Sequence, residues 1–409
     1  MSTPLARPAR PADPGVAYAL FREARRRRRR RRLAGTVAVV LTATAAAVLF
    51  AVAGTPGPSG HELGRPGRTG NAPAALSPVT AVWYDGTDLH VGSIHPDGSI
   101  TQRVAAEANA DWLPLVPAGG RVYWVDPAGT FVSALGHWSE VVRYLDVATG
   151  TIGTAGGGET VFLSADGRSL FMAQSATSLT EIPVATSGPA QQLTLPRGWY
   201  LPGGDGLADV VSGEGFATAN GVVVQSQDSW SPGGSVLAVW NPADGRIVVI
   251  GRAVAVIDAY TPPGARYSLL AWIPAGCRLP GNCPITITNT ATLAAMTLHS
   301  QLPGGFAMGG AFSPDGTRLA VFMDVGAGQT ARLALVDLAT GAIRVASGPR
   351  LTLGIAVAWA RWLPDGTHLI VGPAPGDGYL VDAATLSAEP LVIAGSNGGA
   401  IGYTTAVLP

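Results

Sequence analysis

From about residue 77 onward, the hydrophobic and polar positions of this chain repeat one small theme. A short apolar run ends in a turn built on Asp-Gly or a similar pair, and a second apolar run follows at once. The clearest copies are AFSPDGTRLAVF (311–322), RWLPDGTHLIVG (361–372) and FLSADGRSLFMA (162–173). Weaker copies are VPAGGRVYWV (116–125), TANGVVVQ (218–225) and PPGARYSLLAW (262–272). Asp-Gly and Asn-Gly suit tight hairpins because such turns need positive φ. The turn glycines Gly120, Gly167, Gly221, Gly264, Gly316 and Gly366 follow one another at gaps of 47, 54, 43, 52 and 50 residues.

A second theme follows each copy: an apolar strand, a turn, and another strand. Examples are VVRYLDVATGTIGT (141–154), LAVWNPADGRIVVI (237–250) and LALVDLATGAIRV (333–345). Each period therefore supplies about four short strands. Four-stranded periods of this length are the signature of β-propeller blades, and no helical periodicity competes with them after residue 55. A blade cannot bury its faces alone, so blades pack radially into one ring. The pattern predicts an all-β, seven-bladed β-propeller over residues 78–409.

The first blade reads as incomplete. Its turns at Asp85-Gly86 and Asp97-Gly98 leave room for three strands, at 79–84, 88–94 and 99–104, with no innermost strand before them. At the other end, AIGYTTAV (400–407) is left over after the seventh blade. Adding it innermost to the first blade closes the ring and pairs edges that would otherwise be exposed.

The turns at 313–316 (Ser-Pro-Asp-Gly) and 363–366 (Leu-Pro-Asp-Gly), with Asp-Leu-Ala-Thr-Gly at 337–341 and Asp-Val-Ala-Thr-Gly at 146–150, resemble those of TolB-like and WD-repeat-like bacterial propellers. The resemblance spans nearly all of residues 77–409. It implies the fold and says little about function, because propellers host both binding and catalysis.

Ahead of the repeats the pattern changes. Eight consecutive arginines, Arg25 to Arg32, run into an uncharged stretch that opens on Leu33 and ends on Gly54. About 20 apolar residues are needed to cross a bilayer, and hydrocarbon leaves no partner for a free backbone amide, so the stretch is expected to be a helix. Arginines stay on the cytoplasmic side. The expected organisation is a cytoplasmic basic tail (1–32), a transmembrane helix (33–54), a Pro- and Gly-rich linker (55–77) and an extracytoplasmic propeller (78–409). The competing reading is a signal peptide cleaved after Ala53, although its apolar core exceeds the usual length.

Charge follows the same division. Residues 1–54 hold eleven arginines against Asp13 and Glu23, a net of +9, while the whole chain is neutral. The basic block sits where anionic inner-leaflet lipids attract it. The acidic remainder has no basic stripe, which argues against nucleic-acid binding. Cys277 and Cys283, the two cysteines, stand close together in GCRLPGNCP. Outside the cytoplasm such a pair reads as a disulfide, and two thiolates without histidine partners are poor zinc ligands.

No linear catalytic motif is present. The chain lacks a G-x-S-x-G elbow, an H-E-x-x-H pair and an acidic calcium loop. Its six histidines are scattered, and the turn aspartates Asp166, Asp315 and Asp365 read as hairpin formers. No catalytic residue, metal site or cofactor is predicted. Most of the ten tryptophans sit in or beside strands and read as packing between blades. Trp138, Trp199 and Trp230 lie in longer segments and are the candidate contact surface.

The expected role is therefore a non-catalytic one: a membrane-anchored binding, scaffold or sensor module for a protein, peptide or envelope ligand, and not an enzyme. Two alternatives stay open. One is a propeller hydrolase or lactonase with a site in the central channel, which several carboxylates or histidines facing one channel would favour and a lining of Ala, Gly and Val would count against. The other is a membrane regulator whose N-terminal tail contacts a cytoplasmic partner.

Overall fold

The chain divides into two units, Met1–Pro73 and Ala74–Pro409. The computed structural model describes residues 78–84, 88–95, 97–107, 115–132, 137–158, 160–175, 177–184, 188–202, 216–226, 234–276, 283–298, 307–324, 330–347, 352–354, 359–372, 378–393 and 404–407, all in the second unit. The expected span at 33–54 lies outside the described residues. Among those that are described, no helix is long and apolar enough to cross a membrane.

The described residues are all-β. They form six hydrogen-bonded sheets of mainly antiparallel strands. The second sheet is a plain meander of Val116–Ala118, Arg121–Val132, His137–Asp146 and Ile152–Gly157. The third repeats it with Thr160–Leu163, Ser169–Ser175, Ser178–Pro183 and Gln191–Thr194, and the sixth with Trp359–Trp362, His368–Gly372, Tyr379–Asp382 and Ala388–Pro390. The fifth runs Ala307–Phe312, Arg318–Asp324, Thr330–Asp337, Ile343–Val345, with Thr352–Gly354 also pairing with Thr330–Asp337. The fourth sheet has eight strands, because Ile247–Tyr260 pairs along its first half with Ser235–Trp240 and along its second half with Leu269–Pro274.

The first sheet is built from both ends of the unit. Val79–Tyr84, Asp88–Ile94 and Ser99–Glu107 are flanked on one edge by Thr404–Val407 and on the other by Val392–Ile393. The C-terminal strand pairs antiparallel with Val79–Tyr84, from Ala81↔Val407 to Tyr84↔Thr404, as its leftover position in the repeat predicts. Val392–Ile393 adds a parallel contact to Ser99 and Ile100 that the repeat does not foretell.

Successive strand residues point to opposite faces, and here both faces are apolar. In the first sheet Val82, Leu89 and Val91 pack with Val122, Trp124 and Leu145 of the second. The alternate residues Ala81, Trp83, Ile94 and Ile100 pack with Leu363, Ile370 and Leu380 of the sixth. Each sheet is thus buried between two others, which is why the strands read as near-continuous apolar runs. Trp83, Trp124, Trp240, Trp272 and Trp362 are all buried in these layers, as expected.

The Asp-Gly turns close by their own side chains. Asp315 accepts from the Thr317 amide at 3.0 Å and from the Ser313 hydroxyl at 2.5 Å. Asp337 accepts from the Thr340 amide and hydroxyl, each at 2.9 Å. Gly316 at φ +67° has no side-chain alternative, and a Cβ there would also collide with the Tyr260 ring.

These bonds hold the turn carboxyls below the ordinary carboxylate range. At Asp337 and Asp146 the amides of Thr340 and Thr149 are the main cause. At Asp97 and Asp166 it is the hydroxyls of Ser99 and Ser164. At Asp315, Asp365 and Asp382 burial pushes upward, and the turn hydrogen bonds outweigh it. A carboxyl whose folded value is depressed stabilises the fold above its unfolded value and loses that contribution as pH falls. Thermal stability should therefore hold from pH 7 to about 5 and fall below about pH 4, the ordinary carboxylate value. Asp337→Asn should flatten that acid-side fall in a melting series across pH 3–7. An unchanged profile would show that the turn carboxylates do not set acid stability.

Candidate active site

Four of the sheets contribute to a cavity of about 350 Å³. Its polar lining is made by Ser164, by Asp258, Tyr260 and Thr261 at the end of Ile247–Tyr260, and by Arg361 of Trp359–Trp362. Apolar residues, among them Val116, Pro117, Leu163 and Phe216, also line it. Val116–Ala118, Thr160–Leu163 and Trp359–Trp362 are the first strands of their meanders, and Ile247–Tyr260 lies in the middle of the fourth sheet. Val116–Ala118 neighbours Thr160–Leu163 and Thr404–Val407, Thr404–Val407 neighbours Trp359–Trp362, Trp359–Trp362 neighbours Ala307–Phe312, and Ala307–Phe312 neighbours Ile247–Tyr260. The cavity therefore lies among the inner strands.

Asp258 owes its position to a register shift between Val256 and Asp258. A bulge of this kind re-aims the residues that follow it. Val256 and Ala259, three apart, share one packed layer, whereas Ile257 and Tyr260 share the opposite one. Asp258 belongs to neither layer and lines the cavity instead. Its Oδ2 accepts the Phe312 amide at 2.7 Å and its Oδ1 accepts the Ala259 amide at 2.8 Å.

The neighbouring groups are equally anchored. The Tyr260 hydroxyl donates to the Pro314 carbonyl oxygen. Burial, then the charge of Asp315 and the nearby Tyr267, push the phenol upward, so it stays neutral. Thr261 shares a hydroxyl hydrogen bond with Ser268. Arg361 donates through Nη1 to the Ala360 carbonyl at 3.1 Å. Beside it, Trp362 Nε1 donates to the Ala311 carbonyl at 2.8 Å and ties the sixth sheet to the fifth. Two opposite charges thus line the same cavity, on side chains that bond to the backbone.

The residues picked out by sequence fall elsewhere. Trp199 is half-buried and packs against the layer that contains Leu201, Val224 and Trp240. Trp138 is placed only by its backbone, opposite Phe131 in the second sheet, and Trp230 lies outside the described residues. Cys283 is fully buried and is not a free thiol. Cys277 lies outside the described residues, so their pairing stays an expectation. Asp166, Asp315 and Asp365 serve their turns. His368 Nδ1 meets Asp365 Oδ2 at 2.9 Å within one such turn. Among the described residues, no three His, Cys, Asp or Glu side chains gather as a metal-binding group.

Sequence reasoning missed Asp258 and Arg361. One signal was available: Asp258 is the only charged residue in the apolar run 253–260, AVAVIDAY. Arg361 carried none, since an arginine at the start of a repeat reads as surface.

No protein-family profile matches the sequence, and no curated protein matches it. Its fold is similar to solved structures of low sequence identity. One is a proposed 6-phosphogluconolactonase from Bacteroides fragilis, 14% identical, with a TM-score of 0.52 over 81% of this chain and 98% of that one. Another is an oligogalacturonate lyase in complex with manganese, 14% identical, with a TM-score of 0.49 over 79% and 86%. A third is TolB from Acinetobacter baumannii, 12% identical, with a TM-score of 0.40 over 65% and 62%. At these identities the likeness bears on fold alone, and the fold is a β-propeller.

This finding corrects the functional expectation. The non-catalytic binding, scaffold or sensor reading, and with it the statement that the protein is not an enzyme, rested on missing linear motifs. A neighbour of the same fold is named as a proposed enzyme, so this fold gives no ground for a non-catalytic reading. Nor does the missing motif, because Asp258 and Arg361 lie 103 positions apart in sequence and still reach one cavity.

Proposed function

We propose that the protein is a propeller hydrolase that opens lactones or esters in its inner-strand cavity. The observation that carries this reading is the convergence of Asp258 and Arg361 on one partly apolar cavity. In the proposed step the Asp258 carboxylate takes a proton from water as its oxygen attacks the substrate carbonyl carbon. The Arg361 guanidinium stabilises the negative charge that develops on the carbonyl oxygen. The carbon–oxygen bond to the leaving alkoxide then breaks, and the proton passes from Asp258 to that alkoxide. The neutral Tyr260 ring and Thr261 add to the polar lining.

The purified full chain should hydrolyse members of a panel of simple lactones and aryl esters, followed by proton release at constant pH. Failure on every member would refute the hydrolase reading.

The same reading takes the ring as seven-bladed. Ile247–Tyr260 then serves as the outer strand of one blade and the inner strand of the next, so the eight-stranded sheet counts as two blades. The extracytoplasmic placement is likewise a proposal, motivated by the eight arginines beside the uncharged stretch at 33–54. Protease added to intact cells should digest the propeller and leave a short anchored fragment. Recovery of the propeller in the cytosolic fraction would contradict this placement.

A further inference from the structure

We infer that Thr261 gives a hydrogen bond to the ligand of this cavity, and that the buried Ser268 fixes it as a donor. The inference rests on the hydrolase reading and adds to it a substrate-binding group and its positioning residue.

The reason is a count of protons. A hydroxyl has one proton to donate and two lone pairs with which to accept. Ser268 is 0% exposed, and its Oγ meets two groups: the Ala219 amide, which donates to it at 2.7 Å, and the Thr261 hydroxyl. An amide N–H can only donate. The Thr261 oxygen is therefore the one acceptor among the described residues for the Ser268 proton. A buried hydroxyl proton left without an acceptor would carry its desolvation cost in full. Ser268 thus donates and Thr261 accepts. Thr261 keeps its own proton, which has no acceptor among the described residues, and Thr261 lines the cavity.

The groups around Ser268 hold this arrangement. Its backbone N–H donates to Thr290 Oγ1 at 3.0 Å, and its carbonyl accepts the Thr290 amide at 2.9 Å. Thr290, itself buried, donates its hydroxyl proton to Asn220 Oδ1 at 2.8 Å. The hydroxyl protons of Thr290 and Ser268 are both committed, and that of Thr261 is the one left over. The same bonds join two stretches of the lining. Ala219 follows Phe216 and Ala217, Thr261 follows Asp258 and Tyr260, and Ser268 bonds to both Ala219 and Thr261. A hydroxyl donor recognises an acceptor oxygen, which a lactone or ester presents at its carbonyl and at its bridging oxygen.

The test titrates two probes into the full chain by calorimetry, so that binding is read without turnover. They are δ-valerolactam, whose carbonyl oxygen is a strong acceptor, and its thiolactam, whose sulfur is a weak one. Thr261→Val keeps the shape and removes the donor. It should weaken lactam binding by about 2–12-fold, the range of one neutral hydrogen bond, and thiolactam binding by less than about 2-fold. Thr261→Ser should restore the difference between the probes. Ser268→Ala should weaken lactam binding in the unsubstituted chain and add nothing when Thr261 is already replaced by valine, because it acts through Thr261. Equal losses for lactam and thiolactam would show that Thr261 serves structure alone and would overturn the inference, as would no binding of either probe. An equal effect of Ser268→Ala in both backgrounds would remove Ser268 as the positioning residue. Lactone or ester turnover that Thr261→Val leaves unchanged would overturn the inference and keep the hydrolase reading. The expected binding losses without turnover of any lactone or ester would overturn the hydrolase reading and keep the donor.

Discussion

Deletion of residues 404–409 should lower the melting temperature by about 5–10 °C and promote aggregation, although the segment carries no catalytic group. Among the described residues, Thr404–Val407 is the partner of one edge of Val79–Tyr84 in the first sheet. The residues that it pairs with there include Ala81, Val82 and Trp83, all at 0% exposure. Emptying the space beside a buried tryptophan and valine costs on the order of 3–5 kcal/mol, the scale of a large-to-small core substitution. The same strand also neighbours Trp359–Trp362 and Val116–Ala118, so its loss loosens two further sheets. The freed edge of Val79–Tyr84 would present unpaired amides and carbonyls to other chains. Scanning fluorimetry and size-exclusion chromatography of full-length and truncated protein measure both effects. A truncated chain that melts within about 2 °C of the full one and stays monodisperse would show that the strand does not hold the ring closed.

Asp258→Asn should reduce kcat/KM for lactone or ester hydrolysis by about 10²–10⁴-fold, the usual contribution of a positioned general base. The substitution keeps shape and volume and removes only the charge and one acceptor. It also has a structural cost. Both carboxylate oxygens accept backbone amides, from Phe312 at 2.7 Å and Ala259 at 2.8 Å. An asparagine can offer an oxygen to one of them and must turn its own N–H groups toward the other, which costs about 1–3 kcal/mol for the amide left unpaired. Activity and stability therefore separate the two roles of the residue. A variant that is less stable but turns over substrate normally would show that Asp258 only ties Ile247–Tyr260 to Ala307–Phe312. Loss of turnover with a modest fall in melting temperature supports the base.

The legible part of this protein was its local chemistry. Period-two apolar patterning, Asp-Gly turns and their spacing are short-range properties, and they suffice to call four-stranded units and their ring. The turn aspartates were readable for the same reason: Asp166, Asp315 and Asp337 act on amides and hydroxyls two or three residues away. Even the closing strand could be inferred, because one strand was missing at one end of the repeat and one was spare at the other.

What the sequence did not disclose depends on where strands end up in space. The addition of Val392–Ile393 to the first sheet is a parallel contact across nearly the whole unit, with no turn to announce it. The continuous strand Ile247–Tyr260 was read only as far as residue 250, because nothing local marks a strand that leaves one partner and joins another. The bulge between Val256 and Asp258 then changes which way Asp258 points, and a one-residue slip of this kind moves a side chain from a packed layer into a cavity. Arg361 reaches the same cavity through ring closure. The sequence by itself determined the repeating strand-and-turn unit, the all-β ring and the group that closes it, because those follow from contacts a few residues apart. Tertiary structure alone decided which lone carboxylate and which arginine face each other's cavity, because that convergence is set by inner strands meeting around an axis and by one bulge.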